Sequence, residues 1–243
     1  MTKRIKLFAL STPETAALER IFLSSLKDDW EVEVNRQPSF GKGNGDFHSE
    51  SYFKALNFKM QRTVNLIDEN LGRTIILSDV DIEFFRPCET IIRARLENRD
   101  AVFQSEYWPS DGTINSGFIA VNCNENTLAF WKEVNSHSAK DFQFGDQSII
   151  NMLLQKEECH LSWHVLPNSI YAHSHRLWPL AIALYHANCT VGKESMSQKL
   201  RQLAAVRAKV LNERALAYRM SSLLRGIMQR VILRGMMQIA SLK

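Results

Sequence analysis

The chain has no apolar run long enough to cross a bilayer. Its longest, Trp178 to Tyr185, falls far short of the roughly 20 residues a spanning helix requires. Cysteine is sparse and unpatterned: Cys88, Cys123, Cys159 and Cys189 stand 35, 36 and 30 residues apart, which excludes a CxxC metal knuckle and a dense disulfide framework and reads as reduced thiols in a cytosolic protein. The opening MTKRIKLFALST has a basic start, but its apolar part is short and runs into Pro13 and Glu14 where a leader would have small residues, so no secretory leader is expected. Internal repeats and low-complexity blocks are missing. Beyond Ser197 the chain also lacks Pro, Trp and Phe, and it reads as helix.

With 45% hydrophobic and 23% charged residues over 243 positions, the remaining composition is that of an ordinary globular protein with a sizeable core. The net charge of +4 conceals an asymmetry. Residues 196–243 hold ten Lys or Arg against the single acid Glu213, a balance of +9, so the first 195 residues carry −5. An acidic body with a basic tail calls for an anionic partner at the tail alone.

Strand-like and helix-like segments alternate along the body. Residues 4–10 (RIKLFAL) read as a buried strand; Ser11, Thr12, Pro13 and Glu14 suit the loop that caps a helix reaching about Lys27. A strand at Glu31 to Val34, a Gly/Pro/Asn-rich loop at 37–46, a helix over Ser49 to Leu71 and a strand at Thr74 to Leu77 follow. Further strands are expected at Ala101 to Gln104, Ile114 to Val121, Leu161 to Leu166 and Ala183 to Tyr185, and helices at Glu89 to Glu97, Leu128 to Val134 and Gly145 to Leu154. Such alternation implies an α/β fold with a largely parallel sheet, whose ligands gather at the carboxyl ends of the strands.

One stretch stands out, TIILSDVDIEFFR at 74–86. It delivers Asp79 and Asp81 where an apolar strand ends. Residues i and i+2 of an extended segment point the same way, so the two carboxylates can converge on one hard cation such as Mg²⁺ or Mn²⁺. A surface turn accounts for the same letters, because Asp is common where strands stop.

SDVDIEFFRP, INSGFIAVN, FGDQSIIN and YHANCTVGK occur in that order, and together they resemble the nucleotide-diphospho-sugar transferase family of GT-A glycosyltransferases over roughly Ile5 to Lys193. The resemblance implies a Rossmann-like, mixed but mainly parallel sheet flanked by helices, in residues 1–195. It implies that Asp79, Asp81 and His186 hold Mn²⁺ or Mg²⁺ on the diphosphate of a nucleotide sugar, with UDP-sugar the expected donor, and that Gly192 and Lys193 contact phosphate. Asn115, Ser116 and Gly117 would line the sugar side, Gly117 letting backbone approach the donor. Asp146 and Gln147 would bond the transferred sugar's hydroxyls, Ser11 and Thr12 would sit at the base and ribose, and Lys59 and Arg62 would add basic contacts. The acceptor is expected to be a glycan or glycolipid, and the family's usual outcome is retention. Glu106, Asp111 and Asp146 are the carboxylates available to a mechanism.

Residues 196–243 form the second unit expected. Leu216, Met220, Leu223, Ile227 and Val231 make one apolar stripe, with Arg225 opposite and Arg219 and Arg230 at its margin. That pattern suits a helix on an anionic membrane surface, placing the enzyme peripherally at the inner face of the membrane; packing on the body is the alternative. No nucleic-acid partner is expected. A basic-tailed binding module without catalysis and a metal-dependent phosphoesterase are the competing functions.

Overall fold

A computed structural model describes residues 3–41, 49–107, 112–143, 145–175, 178–179, 181–190, 192 and 194–211. The stripe from Leu216 to Val231, Asp111 and Lys193 lie outside them. Two sheets organise the body. In the larger, β1 (Lys6–Ser11), β2 (Glu31–Arg36), β3 (Thr74–Ser78), β5 (Ala101–Ser105), β6 (Ile114–Asn122) and β7 (Trp163–Val165) line up in the order β2-β1-β3-β6-β5-β7. β6 pairs antiparallel with both β3 and β5, while the other neighbours pair in parallel, so the sheet is mixed and mainly parallel as expected. The smaller sheet joins β4 (Ile82–Phe84), β9 (Leu184–His186) and β8 (Ile170–Ala172) in the order β4-β9-β8.

Strand alternation sends successive side chains to opposite faces, and each face has its own core. Leu7, Ile76, Val102 and Phe118 face one way, against Leu18 and Phe22 of α1 (Ala16–Ser25), Ile92 and Leu96 of α3 (Glu89–Leu96) and the smaller sheet. Phe8, Ile75, Leu77, Phe103 and Ile119 face the other. They meet α2 (Glu50–Glu69), α4 (Glu125–Ser136) and α5 (Asp146–Leu154) through Met60, Ile67, Trp131, Val134, Ile149 and Leu153. Caps fix two of these helices. Ser49 Oγ accepts from Tyr52 N at 3.1 Å, and Asn124 Oδ1 accepts from Thr127 N at 2.9 Å while Thr127 Oγ1 bonds Asn124 N in return.

The segments expected from sequence appear with ends shifted by a few residues. Ile170–Ala172 had no sequence signal, because three residues with no alternating pattern around them do not read as a strand. The four cysteines are free. Among the described residues, no helix is long and apolar enough to cross a membrane.

The basic segment behaves differently from a free tail. α6 (Ser195–Leu211) lies on the body, with Leu203 and Val206 buried in the first core. Arg207 donates through Nε (2.6 Å) and Nη2 (2.9 Å) to the two carboxylate oxygens of Glu83, a buried residue of β4. The first turns of the tail therefore belong to the body, and 195 is where a docked helix starts. Leu203→Ala should lower the stability of the whole body by about 2–5 kcal/mol, read as a single shifted urea transition by both circular dichroism and tryptophan fluorescence. An independent tail would leave that transition where it is.

Candidate active site

The chain leaves the main sheet at Ser78 and enters the small one at Ile82, and Asp79, Val80 and Asp81 span the junction. Their backbone is held from two sides: Asp79 N donates to Gly117 O at 2.8 Å, and Ala187 N donates to Asp81 O at 2.9 Å. The reversed direction of β6 sets its first residues beside the last of β3, with Ser78 opposite Phe118. The pairing of Ile82 with His186 brings the histidine to the same spot.

One ligating atom from each of Asp79, Asp81 and His186 lies within 4.8 Å of the other two. His186 Nε2 is 3.3 Å from Asp81 Oδ1 and 4.0 Å from Asp79 Oδ2. The opposite oxygens are taken by lysines. Lys59 Nζ donates to Asp79 Oδ1 at 2.9 Å, and Lys199 Nζ donates to Asp81 Oδ2. Burial alone would raise the Asp81 pKa, but the Lys199 ammonium beside it outweighs that and holds the carboxyl well below the usual range.

These residues fit a divalent cation. His186 Nδ1 lies 2.8 Å from Gln104 Oε1, whose amide is oriented by its own donation to Ile170 O at 3.2 Å. An amide oxygen only accepts, so a neutral imidazole carries its proton on Nδ1 and turns the lone pair of Nε2 toward the aspartates. Asp81 Oδ1 is buried and has no hydrogen-bond partner. Two acceptors facing each other across 3.3 Å repel unless a cation stands between them. A mixed nitrogen and carboxylate set suits a divalent cation.

Gly117 makes this arrangement sterically feasible. A Cβ there would overlap the His186 ring. The glycine was expected to open the backbone to a donor; it lines the cleft, and its missing side chain also makes room for the histidine. The ladder between β5 and β6 jumps from Phe103 opposite Ile119 to Gln104 opposite Asn115, leaving Ser116, Gly117 and Phe118 outside it. That irregularity sets Gln104 and Gly117 on either side of His186.

Asp146 opens α5 at the helix N-terminus, a favourable place for a carboxylate. Its Oδ1 accepts from Ser116 Oγ (3.1 Å) and Gln147 N (2.9 Å), and its Oδ2 is 3.2 Å from Lys59 Nζ. Lys59 also reaches Ser116 O at 3.2 Å. All three of its N–H groups thus have acceptors, which makes Lys59 a tie between Asp79 and Asp146. Burial would lower its pKa, but Asp146 and Asp79 overcome that and raise it. Asn115 Nδ2 donates to Glu106, and Asn115 Oδ1 accepts from Gly117 N at 2.8 Å. Burial pushes the Tyr52 phenol up, with Asp146 adding to it.

A cleft of about 520 Å³ joins Asp79, Asp81 and His186 to Asn115, Ser116, Gly117, Asp146, Gln147 and Lys59. Other expected residues do not line it. Arg62 points away, to Glu69 (2.7 Å) and Glu33 (3.6 Å), because its position on α2 faces β2. Ser11 Oγ is turned onto Thr15 Oγ1 at 3.0 Å and Thr12 caps the following turn, so Thr15 is the residue of that loop on the cleft wall. Gly192, at φ 77°, accepts from Ser195 N at 2.9 Å and begins the turn into α6. Lys199 and Gln104 were missed. Lys199 reads from sequence as one charge of a basic tail. Gln104, fully buried, had a signal in being a lone amide at the end of the apolar run AVF.

The sequence profile of the nucleotide-diphospho-sugar transferase family matches residues 17–203, and the chain belongs to that family. It is a glycosyltransferase by that membership. Among curated proteins no sequence matches. Among solved structures it is similar to a glycosyltransferase involved in glycosylation of the major capsid of PBCV-1, with 12% identity and a TM-score of 0.56 over 83% of this chain and 100% of that one. It is also similar to the glycosyltransferase GlyE of Streptococcus pneumoniae TIGR4 (11% identity, TM-score 0.52, 89% of this chain and 64% of that one). A third is mouse xyloside xylosyltransferase 1 (12% identity, TM-score 0.50, 77% and 98%). Such likenesses establish the GT-A fold.

Gly117→Ala should displace His186, and Gln104→Leu should unfix its ring. Each is expected to weaken Mn²⁺ binding, the second by about 10–100-fold, in titrations followed by the electron paramagnetic resonance of free Mn²⁺.

Proposed function

We propose that the protein transfers a sugar from a UDP-sugar to a glycan or glycolipid acceptor, with a divalent metal, Mn²⁺ or Mg²⁺, held by Asp79, Asp81 and His186. The observation that carries the reading is the convergence of these three side chains in one cleft with Asp146, Gln147 and Asn115. A metal there would stabilise the negative charge that collects on the diphosphate as the anomeric C–O bond breaks. Lys59 keeps Asp79 and Asp146 in fixed register, so that the cation and the sugar are presented together. Asp146 and Gln147 are suited to accept and donate hydrogen bonds to sugar hydroxyls. Asp146 already accepts from Ser116 and Gln147 and pairs with Lys59, which lowers its nucleophilicity and favours attack from the leaving-group face, with retention.

UDP release from a panel of UDP-sugars, assayed with Mn²⁺, tests the activity. One sugar should give turnover, Asp79→Ala and Asp81→Ala should abolish it and weaken donor binding, and the product should keep the donor's anomeric configuration. No hydrolysis or transfer with any donor, together with unchanged donor binding in both variants, would sink the reading; an inverted product would sink retention.

We also place the enzyme at an anionic cytoplasmic membrane face through residues 212–243. Six basic residues, Arg214 to Lys243, oppose Glu213 there, and each basic residue near such a surface contributes about 1 kcal/mol. The full chain should sediment with vesicles containing phosphatidylserine at low salt and release as salt rises; binding equal to that of neutral vesicles would exclude the placement.

A further inference from the structure

Lys199 comes from a helix that sequence assigns to the tail, yet its ammonium group sits in the cleft against Asp81. The two lysines of the site are used differently. Lys59 is divided among Asp79, Asp146 and Ser116 O. Lys199 has, among the described residues, a single hydrogen-bond partner, Asp81 Oδ2, and an ammonium has three N–H donors. Asp81 is itself buried, so one full positive charge is committed to one metal-facing carboxylate in a setting that screens charge weakly.

That charge opposes a cation arriving at Asp81 Oδ1, and Lys199 lines the cleft that an anionic diphosphate would enter. Resting on the metal-dependent reading above, we propose that Lys199 makes metal binding conditional on the donor: it offsets Asp81 while the cleft is empty of nucleotide and becomes a phosphate partner when the diphosphate and the cation arrive together. A lysine of purely structural purpose would have the opposite signature, since its removal would loosen the site. Removal of a gating charge tightens the site for the bare cation.

The experiment measures Mn²⁺ binding to the full chain by the paramagnetic resonance of free Mn²⁺, with and without UDP, for wild type, Lys199→Met, Lys199→Arg and Arg207→Gln. Wild type should bind Mn²⁺ at least about tenfold more tightly with UDP than without. Lys199→Met should bind Mn²⁺ alone about tenfold more tightly than wild type, bind UDP more weakly by calorimetry, and lose most of the dependence of one on the other. Lys199→Arg keeps the charge and should behave as wild type. Arg207→Gln loosens the same helix at Glu83, which does not line the cleft, and should lower the melting temperature without tightening Mn²⁺ binding.

Tightening in Arg207→Gln equal to that in Lys199→Met would assign the effect to helix undocking and overturn the proposal. Unchanged or weaker Mn²⁺ binding in Lys199→Met would overturn it as well, while leaving the metal site standing. Wild-type protein that takes up no Mn²⁺ in either condition would overturn the metal reading and this inference together.

Discussion

A carboxylate removed from water needs compensation, and an unpartnered one costs several kcal/mol. This fold buries Asp81 and Glu83 two residues apart at the start of the small sheet and Asp146 across the cleft, and the surrounding structure is arranged to compensate them. Lys59, Lys199 and Arg207 come from two helices on opposite faces of the main sheet to meet these acids. The pairing is incomplete at one atom, Asp81 Oδ1. In a network otherwise satisfied, that atom and the lone pair of His186 beside it define where a cation is stabilised.

The backbone serves the same point. A wholly parallel sheet would carry the β6 side chains away from the end of β3, where the aspartates emerge. Reversing β6 brings Asn115, Ser116 and Gly117 to that end, and the break in its pairing with β5 frees Gly117 to lie under His186. The small sheet then locks the histidine in register with Ile82. Three strands from distant parts of the chain thus fix a cluster whose tolerance is a fraction of an ångström, which suits a site on rigid elements better than one on loops.

Much of this was legible from sequence because it repeats locally. Apolar periodicity located the strands and helices, and the ordered set of motifs indicated the family, the fold and the convergence of Asp79, Asp81 and His186. What escaped depends on contacts between remote segments. Arg62 and Lys59 lie on one helix less than a turn apart, and only their facing directions separate a residue of the cleft from one bonded to Glu33 and Glu69. Ser11 and Thr12 are at the expected strand end, yet a neighbouring threonine takes the place on the cleft wall. Gly117 has a use that its neighbours in sequence do not announce: its missing side chain makes room for His186. Lys199 sits in a run of basic residues where nothing distinguishes it.

Within the basic segment, the helix Ser195–Leu211 is already docked on the body. A count of +9 over residues 196–243 treats every charge as available to an outside partner. Lys199 and Arg207 are already spent on Asp81 and Glu83, and Lys209 stands over the Trp178 ring at 5.6 Å. Charge that compensates buried acids is screened little by salt, whereas charge facing solvent is screened within about 8–10 Å at physiological salt. The docked helix should then hold its place at ionic strengths that release residues 212–243 from any anionic surface. The contacts of Lys199 and Arg207 with the body therefore rest on buried electrostatics, not on charge open to solvent.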